Sequence, residues 1–226
     1  MICKYGQQTK KTARVRNLFV ASLVLACVFN TINLATAQTV TPPPTPAKLT
    51  PPEGNTAFLV GHATGSQGYT CLPTSDGSTS WTVNSARPEA TLFVNFFRQP
   101  VQIITHFASV NANPNGALLP VSLGGNATWQ SSFDSSKVWA AVIGPHSIPG
   151  GSDPASCPNS GAIPCLLLQS IGNQEGPTGG KLLANTTFVQ RLNTKGGAAP
   201  TSACTVGQTQ LVGYTADYFF YRADQR

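Results

Sequence analysis

No segment of this 226-residue sequence sustains a 3.6-residue apolar period, so a helical bundle or a βαβ-type domain has no support. Chemistry-bearing motifs are also scarce. There is no GxSxG elbow, which disfavours a hydrolase of the usual α/β kind. No GxGxxG follows a strand, so nucleotide-dependent redox chemistry has no footing. The Lys195-Gly196-Gly197 stretch lacks the GxxxxGK[ST] spacing of a phosphate loop and reads as a turn. The three histidines, His62, His106 and His146, stand far apart, outside HxH or HExxH spacing, and no CxxC pair occurs, so no metal site is expected.

Positive charge is plentiful only at the start. Residues 1–17 carry Lys4, Lys10, Lys11, Arg14 and Arg16 and no acid. Leu18 to Phe29 is apolar but shorter than the roughly 20 residues a membrane span needs. Ala35-Thr36-Ala37 supplies an A-x-A site. Together these read as a secretory signal peptide over 1–37, cleaved before Gln38. A competing lipoprotein cleavage at Cys27 fits poorly, because Leu25 stands where a small residue is needed. Five of the fourteen basic residues leave with the signal, so nine remain against eight acids. That balance gives no basic patch for nucleic acid, and the mature chain holds no stretch long enough for a membrane span.

Residues 38–54 are proline-rich and read as an extended tether ahead of a domain over 55–226. Four cysteines remain in the mature chain, an even count that suggests two disulfides in an exported protein. Three pairings are possible. We favour Cys157–Cys165 as a short loop closure, with Cys71–Cys204 stapling the first strands to the last.

The domain reads as all-β, a sandwich or barrel of about nine or ten short antiparallel strands. Its clearest strand is Leu211 to Tyr221, where Val212, Tyr214, Ala216, Tyr218 and Phe220 share one apolar face. Gly213, Thr215, Asp217, Phe219 and Tyr221 share the other. Thr186 to Leu192 is a second strand. Ala90 to Phe97 and Val101 to Phe107 flank a hairpin turn at Arg98-Gln99-Pro100, and a second hairpin turns at Asp134 to Lys137. Gly61 to Ser66 reads as a turn between two short strands, and Asn111 to Asn126 as a long loop.

Six motifs in fixed order then bear on family. They are Gly65-Ser66-Gln67-Gly68-Tyr69-Thr70-Cys71, Ile103 to Phe107, Ala127 to Gln130 with Ser136 to Trp139, Ile163 to Leu168, Gln190 to Gly197 and Tyr214 to Tyr221. In this order the chain resembles the exported DUF3455 family of bacteria and fungi from about Asn55 onward. The resemblance implies fold and compartment and carries no activity, cofactor or metal. Cys165 stands where the family usually has Trp, so the Cys157–Cys165 bridge reads as an addition in this branch.

Two kinds of function remain to weigh. The first is a binding or structural module of the envelope or extracellular space, partnered by a polysaccharide or another envelope component. Tyr69, Trp81 and Trp129, with Trp139 and Tyr214, are candidates for a sugar-stacking platform, although aromatics on core strands more often fill the interior. The second is a hydrolase or lyase using His106 as base with a carboxylate such as Asp134 or Asp217. The bland alternative for His106 is a hydrogen-bonded structural histidine at a strand end. Asn126-Ala127-Thr128 and Asn185-Thr186-Thr187 are glycosylation acceptors in a eukaryotic host.

Overall fold

The computed structural model describes residues 40–109 and 126–225, without the side chains of 84–88. These residues belong to one compact unit, Thr39–Arg226. The expected signal peptide with Cys27, and nearly all of the expected loop from Asn111, lie outside the described residues. Among the described residues there is no helix and there are nine strands: β1 Asn55–Pro73, β2 Thr79–Phe96, β3 Gln99–Ser109, β4 Asn126–Ser131, β5 Lys137–Ala141, β6 Ser147–Ile148, β7 Cys165–Gln174, β8 Thr186–Gly196 and β9 Thr209–Ala223.

The strands form one antiparallel sheet that closes on itself. Each of β1 to β4 pairs with the next, β5 crosses to β7, β7 to β8, β8 to β9, and β9 returns to β1. Eight strands make the ring, and β6 adds a short pairing to β7. The all-β expectation thus takes the form of an up-and-down barrel, and closure removes the unpaired edges an open sheet would expose. The β1–β2 turn and the β8–β9 loop lie at one end, here the head. The β2–β3 and β4–β5 turns, the 175–185 loop and the end of β9 lie at the other, the foot.

Several strands are longer than the sequence suggests. β1 runs for 19 residues straight through Gly61 to Ser66, the stretch expected to turn. The reason is lateral crowding. A Cβ on Gly61 would meet Leu92 Cβ at 2.9 Å, and one on Gly65 would meet the Glu89 carbonyl oxygen at 2.0 Å. Glycine at these two positions lets β2 lie close against β1.

The alternation read for β9 holds. Tyr214, Ala216, Tyr218 and Phe220 point into the barrel with Leu92, Ile104, Trp129, Val138 and Val189. An eight-stranded barrel is just wide enough for side chains to fill, and here aromatic rings do so. Phe219 and Tyr221, on the outward face, are also buried, because a second cluster covers them. It comprises Leu49, Ile148, Leu167, Leu192 and the Cys157–Cys165 bridge. Leu49 belongs to the proline-rich segment expected as a free tether. It is fully buried, and its carbonyl accepts a hydrogen bond from Gln190 Nε2 at 2.7 Å. His146 Nδ1–H donates to the neighbouring Lys48 carbonyl at 2.8 Å. The segment is a strap along the wall of β7, β8 and β9. Both disulfides join the favoured partners, Cys71–Cys204 and Cys157–Cys165.

The β2–β3 hairpin turns at Phe97 and Arg98, one residue earlier than expected, with φ of 47° and 64°. Two successive left-handed residues are what a two-residue hairpin turn requires, and Asn-Gly suits them far better than a bulky pair. Phe97 is also 85% exposed, so burial returns nothing for the strain. Replacing Phe97→Asn together with Arg98→Gly is expected to stabilise the fold by about 1 kcal/mol. A urea titration checks this, and an unchanged midpoint would mean that the turn is not strained.

Candidate functional site

Polar chemistry gathers at three places in the barrel. The first is its interior. His106 on β3 stands directly opposite Trp129 on β4. Their rings stack at 4.3 Å between centroids with 6° between planes, and Tyr218 closes the other side at 5.4 Å from the imidazole. A backbone carbonyl only accepts, so His106 Nδ1 carries the proton it donates to the Thr128 carbonyl at 2.9 Å. Burial pushes the imidazole down to about 4, against the Thr128 hydrogen bond, and the Arg191 charge adds to the fall. The ring is therefore neutral at neutral pH.

Around this stack lie further polar groups. Tyr214 and Tyr218 share a hydrogen bond at 3.1 Å, and Tyr69 donates to the Gly197 carbonyl at 2.5 Å. Burial raises the Tyr69 phenol and pushes that of Tyr214 well above its ordinary value. Arg191 follows inward-facing Val189 by two residues and is buried, with Nε and Nη2 both donating to the Pro164 carbonyl at 3.1 and 2.9 Å. Trp129 Nε1 is buried without a partner.

The second place is the outer wall. Register puts His62 on β1 beside Asp217 on β9. His62 Nδ1–H donates to Asp217 Oδ1 at 2.6 Å, and Asn193 Nδ2 holds the other carboxylate oxygen at 2.8 Å. This histidine–carboxylate pair is the one the fold assembles, and it is not the pairing the sequence suggested. Asp217 faces outward, whereas His106 is inside. Asp134 is in the β4–β5 turn, where it accepts from the Ser136 amide and hydroxyl and from the Leu182 amide at 2.7 to 3.0 Å. Burial alone would raise its carboxyl, but these hydrogen bonds win and hold it at about 2. The structure thus gives Asp134 a turn-capping role and brings neither acid to His106.

The candidates for a stacking platform are likewise dispersed. Tyr69 and Trp129 are inside the barrel. Trp81 is half-buried on β2, with Nε1 donating to the Ser202 carbonyl at 3.0 Å. Trp139 is buried on β5. They fill and brace the barrel and present no common face. Among the described residues no three His, Cys, Asp or Glu side chains come together as metal ligands.

The third place is a cavity of about 570 Å³ at the foot, which sequence reasoning did not find. Its lining includes Phe58, Asn173, Lys181, Asn185, Thr186 and Arg222, and no acid. The ends of β1, β7, β8 and β9 and the 175–185 loop build it, so only barrel closure brings these residues together. Arg222 lies over the Phe58 ring at 5.4 Å. Thr186 stands opposite Arg222 in the β8–β9 ladder, and its hydroxyl is buried without a partner. Asn173 Nδ2 is engaged with the Leu183 and Thr186 carbonyls at 3.1 and 3.0 Å.

A family model described as a protein of unknown function (DUF3455) matches residues 51–222. The chain belongs to the DUF3455 family. The match runs from the end of the strap to the penultimate residue of β9, and so spans the DUF3455 barrel, the first two polar sites and the cavity lining apart from Ala223 and Gln225. Neither a curated protein nor a solved structure matches the chain significantly. Among the described residues of this DUF3455 member, no helix is long and apolar enough to cross a membrane.

Proposed function

We propose that this DUF3455 protein is exported and works outside the cytoplasm as a binding module, with the foot cavity as its ligand site. The observation that carries the reading is the cavity itself. Its volume falls in the range of small-ligand sites, and it combines an aromatic face, amides and hydroxyls with two cations. Export is supported by the two disulfides, which persist in oxidising compartments, together with the signal-like start of the sequence. A polysaccharide or another envelope component is the partner class that suits such a lining. The hydrolase or lyase alternative through His106 has weaker support, because Thr128, Trp129 and Tyr218 enclose that imidazole.

Thermal melting of the purified protein against a panel of glycans tests the reading. A ligand at 100 times its Kd stabilises the fold by about 2.7 kcal/mol, a visible shift. One glycan class should shift the melt, and Asn185→Trp, which crowds the cavity from an exposed position, should abolish the shift without lowering the unliganded Tm. A glycan shift that survives Asn185→Trp moves the site elsewhere. Retention of the protein in the cytoplasm of its host would end the export part of the proposal.

A further inference from the structure

Granting the binding-module reading, we infer that the foot cavity takes a carboxylate-bearing sugar, the uronic acid unit of an acidic polysaccharide. Charge comes first. Lys181 and Arg222 line the cavity and no Asp or Glu does. Three acids at the foot stand outside the lining: Glu175 pairs with Lys181 at 2.9 Å, Asp224 accepts from Thr56 Oγ1 at 2.5 Å, and Asp134 accepts from the Leu182 amide at 2.9 Å. The Glu175–Lys181 pair is more than half exposed on both sides, so Lys181 can exchange that partner for a ligand at little cost. Arg222 makes no ion pair among the described residues. Its guanidinium carbon lies 5.4 Å from the Phe58 ring centre, within cation–π range, and its N–H groups remain available to a carboxylate.

The neutral groups point to a sugar rather than a bare anion. Asn185 and Gln225 bring amides, and Thr187 brings a hydroxyl already oriented by Asn55 Oδ1 at 2.7 Å and the Tyr221 carbonyl at 3.1 Å. Thr186 supplies the independent observation. It lines the cavity beside Arg222, it is 2% exposed, and its hydroxyl has no partner in the chain. A buried hydroxyl left unpaired is costly to the fold on its own account. It is explained if ligand hydroxyls complete it.

The test is calorimetric titration of the purified protein with oligogalacturonate, with its neutral methyl ester and with inorganic phosphate. Oligogalacturonate should bind, its methyl ester at least about 10-fold more weakly, and affinity should fall several-fold as salt is raised. Arg222→Gln should cost about 10-fold in affinity with an unchanged Tm, since the residue is exposed. Thr186→Val should weaken binding while holding or raising the Tm, because it removes an orphan hydroxyl at nearly constant shape. A variant that weakened binding only by unfolding would lower both. Equal binding of ester and acid overturns the charge inference and leaves the binding module standing. Phosphate that competes as well as the oligomer overturns the sugar inference. Binding by none of these, with no shift in the glycan melts, sinks the binding module as well.

Discussion

Removing the Cys71–Cys204 bridge by the double change Cys71→Ala and Cys204→Ala is expected to cost about 5 kcal/mol. The two cysteines are 133 residues apart, and loop-closure entropy grows with the length of the loop tied off. The native head should keep its geometry without the bond. The Cys71 amide donates to the Gln208 carbonyl at 2.8 Å, and the Gly207 amide to the Cys71 carbonyl at 3.0 Å. The loss therefore falls on the unfolded chain, which regains the freedom to separate β1 from β9. Those two strands make the closing seam of the barrel and come from opposite ends of the domain. Cys157→Ala with Cys165→Ala, across a separation of 8, should cost roughly half as much. Urea melts of both double variants check the ranking. For a chain of this size the larger loss corresponds to a Tm drop of about 10–20 °C. Near-equal losses would show that native contacts around the bridges matter more than chain entropy. The result also bears on compartment, because a barrel with so much of its stability in one disulfide folds poorly where thiols stay reduced.

What could be read from the sequence was whatever depends on one strand at a time. The alternation from Tyr214 to Phe220 marks the barrel wall because side chains switch faces at every residue. The turn at Asp134 to Lys137 announces itself through residues whose short side chains hydrogen-bond the local backbone, as Asp134 does with the Ser136 amide. Apart from the Cys71–Cys204 staple, which the even cysteine count suggested, features that depend on register or closure were not visible. The pairing of His62 with Asp217 needs the β1–β9 alignment, since 155 residues separate them. Gly61 and Gly65 looked like a turn, because sequence shows glycine's freedom but not the strand that crowds it. The burial of Phe219 and Tyr221 on the outward face follows from Leu49, which lies about 170 residues upstream in a segment whose prolines suggested a tether. The foot cavity is the extreme case. Five chain segments contribute to it, and none carries a local pattern that points to the others.

Acid should destabilise this barrel through His106 before it does so through any carboxylate. In the unfolded chain the imidazole titrates near its ordinary 6.5, and in the fold it is held down to about 4. A depressed histidine means that the unfolded state binds the extra proton first. Stability is then full above about 6.5 and falls as pH drops toward 4, by at most about 3 kcal/mol. The carboxylates act in a lower window. Asp134 is held at about 2 against an ordinary 3.8, so its contribution is lost only as pH falls below that ordinary value. Melts in urea at intervals from pH 7.5 to 4 should show the histidine slope, and His106→Gln should flatten it. Glutamine can still donate to the Thr128 carbonyl but takes no proton in this range. The experiment also weighs the alternative function. A base that acts on substrate must exchange protons with what enters the site, so a working imidazole would keep a pKa near its ordinary value or be reached by water. A wild-type profile that stays flat down to pH 4.5 would mean that the protonated ring is tolerated and hence solvated. That result would restore His106 as a candidate base. A slope that vanishes in the glutamine variant would fix it as the neutral centre of a sealed aromatic stack.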